Sequence, residues 1–223
     1  MKKIGIVTIG QSPRPDVVKE MSFYFGENIN ILERGALDGL ALEQVKKLSP
    51  EAGMMPLCTR MSDGTEVIIA KEKIIPLIQQ SIHELNENNV SIMLLLCVGS
   101  FPYFESDCLI LYPQRIVDRC VESLIGRTHH LGIIIPLPEQ EDWARDNFSL
   151  LTPQITVTDI SPYGDLSQLS HAIKDIKDAN CDLIVMYCMG FTREIAKEVR
   201  RLTGKPVILS NSIVARTIGE LLE

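Results

Sequence analysis

No stretch of the chain is strongly basic: 22 Lys and Arg face 29 Asp and Glu, for a formal net charge of −7. A nucleic-acid binder displaces counterions from phosphates with a cationic stripe, so that class of partner is excluded. Long apolar runs are missing too. The longest, Ile92 to Val98, falls far short of the roughly 20 residues a spanning helix needs, so no membrane partner is expected. The first residues, Met1 to Thr8, have the basic-then-apolar look of a secretory leader. Their apolar run breaks at Gly10-Gln11-Ser12-Pro13-Arg14 with no small-residue cleavage site behind it, and a cytoplasmic location is expected. The six cysteines (58, 97, 108, 120, 181 and 188) form no Cys-x-x-Cys pair, and reduced thiols are the expectation. The four histidines are not at zinc-finger spacing, and the adjacent His129 and His130 point to opposite faces of a strand, so no metal is expected. Gly-x-Gly-x-x-Gly and P-loop patterns are also absent, leaving nucleotide chemistry without support.

What is present is a core and an alternating pattern. Of the 223 residues 45% are hydrophobic, enough to exclude disorder as a description of the whole chain. Short continuous apolar runs at 3–9, 66–69, 91–97, 131–135, 183–188 and 206–209, with weaker ones at 30–32 and 155–157, read as parallel strands covered on both faces. Between them, helical periodicity marks 72–85, with Pro76 expected in the first turn, then 114–125 and 193–202. The third of these stops at Gly204 and Pro206, and 212–222 reads as a closing helix. This is an α/β fold with parallel sheets. Residues 36–64 stand apart and are expected to form a short helix and irregular loops, either a rim segment or a surface insertion.

The two halves repeat imperfectly. Each has a strand that begins after an Asn-containing turn, Asn88-Asn89 or Asn180, and ends in Cys-x-Gly, Cys97-Val98-Gly99 or Cys188-Met189-Gly190. The following residues are Ser100-Phe101 and Phe191-Thr192. In open α/β sheets ligands bind beyond the carboxyl ends of strands, where both thiols stand. Two lobes are therefore expected, residues 1–100 plus 205–223 (with the 36–64 insert) and residues 101–204, with the site in the cleft between them. One thiolate removing an α-proton and one thiol returning a proton on the opposite face would invert a stereocentre without a cofactor. Gly99 and Gly190 would offer N–H groups to a carboxylate, Gly10 would let backbone approach a ligand, and Arg14 would pair with a carboxylate. Gln11, Ser100, Phe191, Thr192 and Asn211 complete the candidate substrate-binding set, Thr192 also as a helix N-cap and Asn211 within a segment that either lines the rim or caps the last helix. Cys108, Cys120 and Cys181 read as core residues, and Cys58 fits either role.

Four segments carry a family resemblance: Thr8-Ile9-Gly10-Gln11, Pro50-Glu51-Ala52-Gly53, Tyr187-Cys188-Met189-Gly190-Phe191, and Pro206-Val207-Ile208-Leu209-Ser210-Asn211 with Ala215-Arg216. On these the chain resembles the AroM family of the aspartate/glutamate racemase superfamily. The resemblance implies two pseudo-symmetric α/β lobes with the active site between them, a bacterial origin, and a loose link to aromatic amino-acid biosynthesis. Superfamily racemases commonly show Cys-Asn-Thr at the first thiol and Gly-Cys-Thr at the second. Here Cys97-Val98-Gly99 and Tyr187-Cys188-Met189 lack that Asn and Thr, which argues against an ordinary Asp or Glu substrate. The leading expectation is a cofactor-independent racemase or isomerase acting on a small carboxylate metabolite through Cys97 and Cys188. The alternatives are a lyase or cis–trans isomerase using Cys188 alone and a non-catalytic metabolite-binding protein; a homodimer is compatible with each.

Overall fold

The computed structural model describes residues 2–223, and contacts divide the chain into two units, Met1–Gln114 with Ala215–Glu223, and Arg115–Val214. The first unit contains β1 (Lys2–Thr8), α1 (Pro15–Ser22), β2 (Ile29–Gly35), α2 (Leu42–Lys46), β3 (Pro56–Arg60), β4 (Glu66–Ala70), α3 (Lys71–Asn86), β5 (Ile92–Leu96) and β6 (Leu109–Leu111). Its main sheet runs β2-β1-β5-β6, with all neighbours parallel. β5 is buried along its whole length and β1 from Ile4 onward, as helix-covered parallel strands must be. The core beneath them gathers Val7, Leu37, Leu57, Ile69, Ile74, Ile78, Ile82 and Leu85.

α4 (Pro113–Leu124) leads into the second unit, which holds β7 (His130–Ile135), α5 (Glu141–Phe148), β8 (Gln154–Asp159), α6 (Leu169–Ala172), α7 (Lys174–Asp178), β9 (Leu183–Met186), α8 (Arg193–Thr203) and β10 (Val207–Leu209). α9 (Ser210–Leu222) begins in this unit and ends in the first. The second sheet runs β10-β9-β7-β8, again parallel throughout. Numbered by appearance within its own unit, each sheet has the order second-first-third-fourth. The two lobes therefore share one topology, with a core of their own in each. α8 shows how local sequence sets its limits: Thr192 Oγ1 accepts the Ile195 N–H at 3.2 Å at one end, and Gly204 takes φ 67° at the other.

Four expectations are corrected. The lobe boundaries near 100 and 204 lie too early at both places. β6, which was not foreseen, pairs with β5, and β10 pairs with β9, so each strand closes the lobe that precedes it. Residues 66–69 do not join a parallel sheet: β4 pairs antiparallel with β3 in a separate hairpin. Ile68 is 41% exposed and Glu66 is exposed, so this strand has one apolar face where a sheet-centre strand needs two. The 36–64 segment is correspondingly more regular than expected, since it supplies β3 as well as α2. Pro76 sits well inside α3, where it leaves the Glu72 carbonyl without its usual i+4 N–H donor.

Candidate functional site

In a sheet of this order, the chain leaves the first and third strands in opposite directions, opening a crevice at their carboxyl ends. In the first lobe those strands are β1 and β5, in the second β7 and β9; Thr8 stands beside Leu96 and Ile134 beside Met186. Cys97 directly follows β5, and Cys188 follows β9 after Tyr187. Each thiol thus stands at the switch point of its own lobe.

The local repeat is closer in structure than in sequence. Residues 89–99 and 180–190 align without a gap. Asn89 (φ 51°) and Asn180 (φ 53°) both take the left-handed conformation that Asn tolerates better than most residues. Ser91 N–H then donates to Lys3 O at 2.9 Å, and Asp182 N–H donates to His130 O at 2.8 Å, fixing the third strand against the first in both lobes. At the far end Gly99 N–H points at Cys97 Sγ, 3.3 Å away, and Gly190 N–H at Cys188 Sγ, 3.4 Å away. Both N–H groups therefore serve the sulfur two residues earlier, where the sequence reading had them holding a carboxylate. Both thiols are partly exposed. Cys108, Cys120 and Cys181 differ: burial pushes each of these thiols above its ordinary range, which suits core residues. Cys58 is buried and donates to Glu66 Oε1 at 3.0 Å.

Around Cys97 the wall is the β3–β4 hairpin. Leu57 Cδ2 lies 3.5 Å from where a Cβ on Gly99 would stand, and a Cβ on Gly10 would meet Thr59 Oγ1 at 2.4 Å and Arg60 O at 2.5 Å. Gly10 is required for this close packing of chain on chain, not for the approach of a ligand. Gln11 is likewise engaged inside the lobe. Its Nε2 donates to Leu37 O and Leu40 O, and its Oε1 accepts from Ser62 N–H, so it ties the loop after β1 to the insert. Arg14 is buried and neither faces solvent nor waits for a carboxylate: Nε and Nη2 grip Asp16 at 3.0 and 2.8 Å. Arg60 Nη1 stands 3.7 Å from the same carboxylate. Burial pushes the Asp16 carboxyl up, but the hydrogen bonds and charge of Arg14, with the charge of Arg60, outweigh it and hold the group below its usual value. Glu33, which accepts the Arg14 N–H at 2.7 Å, is instead raised, because burial dominates there. Ser100 is exposed at the start of the loop that follows.

Around Cys188 the parts are tightly held. Asn211, itself buried, donates from Nδ2 to Met189 O at 3.1 Å and to Phe191 O at 2.6 Å, clamping the loop that carries the thiol. Ser210 Oγ donates to Met186 O at 2.7 Å, just below it. Phe191 is fully buried in the lobe core and does not line a site. Thr192 caps α8, as its place in the sequence suggested. Tyr187 donates its hydroxyl to Asp118 and packs against Trp143 and Phe148 with centroids 5.4 and 5.7 Å away, anchoring the residue before the thiol. Sequence reading gave no weight to this anchor, because α4 and β9 are distant in the chain. Among the described residues no cluster of three His, Cys, Asp or Glu side chains is placed to hold a metal, and no helix is long and apolar enough to cross a membrane.

The family model described as AroM protein matches residues 4–222. The chain belongs to the AroM family. No curated protein matches it in sequence. Solved structures with similar folds include glutamate racemase from Aquifex pyrophilus (TM-score 0.60, 15% identity, 99% of this chain and 84% of that one). Maleate isomerase Iso from Pseudomonas putida matches with TM-score 0.61 and 12% identity over 99% of this chain and 92% of that one. Unliganded arylmalonate decarboxylase matches with TM-score 0.59 and 13% identity over 100% and 93%. At these identities the likeness is one of fold. This member of the AroM family thus has the two-lobed fold of the aspartate/glutamate racemases.

Proposed function

We propose that this AroM-family protein is a cofactor-independent racemase or isomerase of a small carboxylate, with Cys97 and Cys188 as the acid–base pair. The observation that carries the reading is the matched pair of strand ends, each presenting a partly exposed thiol with a glycine N–H aimed at its sulfur. A thiolate needs such a donor when it has given up its proton. The names of the fold neighbours support the substrate class, since glutamate, maleate and arylmalonates are all small carboxylates.

The chemistry balances without an oxidant. One thiolate takes the α-proton, breaking C–H and forming S–H, and the electron pair moves into the adjacent carboxylate as an enediolate. The second thiol then returns a proton to the opposite face, forming C–H and leaving a thiolate, so that the pair ends in the reverse protonation state. Clamped loops on both sides suit such transfer, because the geometry must be held before the proton moves.

The test is exchange of α-protons with D₂O, followed by NMR across a panel of small chiral carboxylates for the parent protein and for Cys97→Ala and Cys188→Ala. Exchange with inversion in the parent and a loss of at least about 10²-fold in each variant is expected. Full activity in Cys97→Ala would overturn the pair and leave Cys188 working alone. Thermal stabilisation by a panel member without any turnover would favour a binding protein.

A further inference from the structure

The glycines after the two thiols are covered by different rings. A Cβ on Gly99 would stand 3.1 Å from Phe101 Cε2. A Cβ on Gly190 would stand 2.8 Å from Tyr163 Oη, 3.2 Å from Tyr163 Cζ and 3.2 Å from Pro162 Cγ. A phenol hydroxyl thus fills the side-chain position that residue 190 lacks, while the peptide N–H of the same residue reaches the Cys188 sulfur. Hydroxyl and thiol are arranged around one glycine. The turn that brings the phenol there is ordered by its own bonds: Tyr163 N–H donates to Ser161 Oγ at 3.1 Å, and Gly164 N–H to Ser161 O at 3.2 Å. Pro162 is buried beneath it, whereas Tyr163 is only partly buried, so the hydroxyl is not sealed in the core. The repeat is thereby broken in one chemical respect, with an apolar ring over Gly99 and a hydrogen-bond donor over Gly190.

We infer that Tyr163 is a specificity residue of the Cys188 half of the site, donating its hydroxyl to a carboxylate of the substrate. The inference rests on the proposal that the substrate is a small carboxylate, and adds which lobe recognises that group and through which atom. A phenol O–H is a good donor, and bonds from O–H to a carboxylate oxygen are charge-assisted and short. The N–H of Gly190 faces the sulfur and is not the donor for this purpose, which leaves the hydroxyl as the group suited to it. Phe101 offers no such bond, so the substrate enters in one orientation, its carboxylate toward Cys188.

The probes are iodoacetate and iodoacetamide, two alkylating agents of similar size of which only the first carries a carboxylate. Their separate rates at Cys188 are measured by peptide mass spectrometry on the full chain, with glutathione as the free-thiol reference. The iodoacetate-to-iodoacetamide ratio at Cys188 is expected to exceed that of glutathione, and to fall by about tenfold in Tyr163→Phe with the iodoacetamide rate unchanged. Tyr163→Phe keeps the ring over Gly190, so a purely structural role predicts no change in the ratio. A raised ratio that survives in Tyr163→Phe would overturn the assignment to Tyr163 and leave the carboxylate reading intact. A ratio no higher than that of glutathione in the parent protein would sink both. A parallel fall in both rates would show that the hydroxyl shapes the loop and does not recognise the acid.

Discussion

Arg14 and Asp16 show how a residue identified from the sequence can change its meaning in the fold. The sequence placed an arginine in the loop after the first strand, which suggested a carboxylate partner; the partner is supplied two residues later by the chain itself. The pair carries a pH signature. Asp16 has a folded value below its usual 3.8, so its contribution is complete above 3.8 and is lost as the pH falls through the folded value. Glu33 has the opposite sign: raised above 4.5, its penalty is absent at lower pH and full only above its folded value. Asp16→Asn leaves the buried guanidinium of Arg14 short of its counter-charge and is expected to cost about 3 kcal/mol at neutral pH. Thermal unfolding followed from pH 7 to 3 should show the gap between parent and variant narrowing below about 3.8, the usual aspartate value. A gap that stays constant over that range would mean that the Asp16 charge does not stabilise the fold.

Among the elements, the β3–β4 hairpin departs furthest from what the sequence suggested. Strands of the two parallel sheets were legible because they are apolar on both faces, and α8 because its cap and stop residues are explicit. The hairpin was not, since one strand shows a single apolar face and the other begins at Pro56 within a loop-like segment. β6 escaped notice for a related reason: it has three residues, and Leu109 is 61% exposed. Docking of the hairpin depends on Gly10, whose Cα lies against Thr59 and the Arg60 carbonyl. Gly10→Ala puts a methyl group into backbone and a buried hydroxyl, and neither can retreat cheaply. A loss of roughly 2–4 kcal/mol is expected, with faster amide exchange across residues 56–70. Unchanged exchange there would show that the loop after β1 does not hold the hairpin.

For the whole molecule, the two sheets of identical strand order explain why so much of the site could be read in advance. A repeated strand that starts after a left-handed Asn and ends in Cys-x-Gly places a thiol at the same point in both lobes. The thiols, Gly99, Gly190 and the cap at Thr192 were therefore visible in the sequence. Side chains whose partners lie far away in the chain were not. Gln11 and Asn211 looked like ligand contacts but hold loops, and Phe191 is buried in a core that sequence spacing alone did not reveal. Tyr163 had no signal at all beyond a turn, because its importance depends on which glycine it covers. The central claim is that Cys97 and Cys188 act on one small substrate, which requires sulfurs roughly 6–8 Å apart at near-attack range on either side of a carbon. The most direct measurement is treatment with a short bifunctional alkylating reagent of that span, followed by peptide mass spectrometry. A cross-linked species joining the Cys97 and Cys188 peptides, lost in Cys97→Ser and in Cys188→Ser, is the predicted result. Single adducts at each thiol with no such species would contradict the paired mechanism.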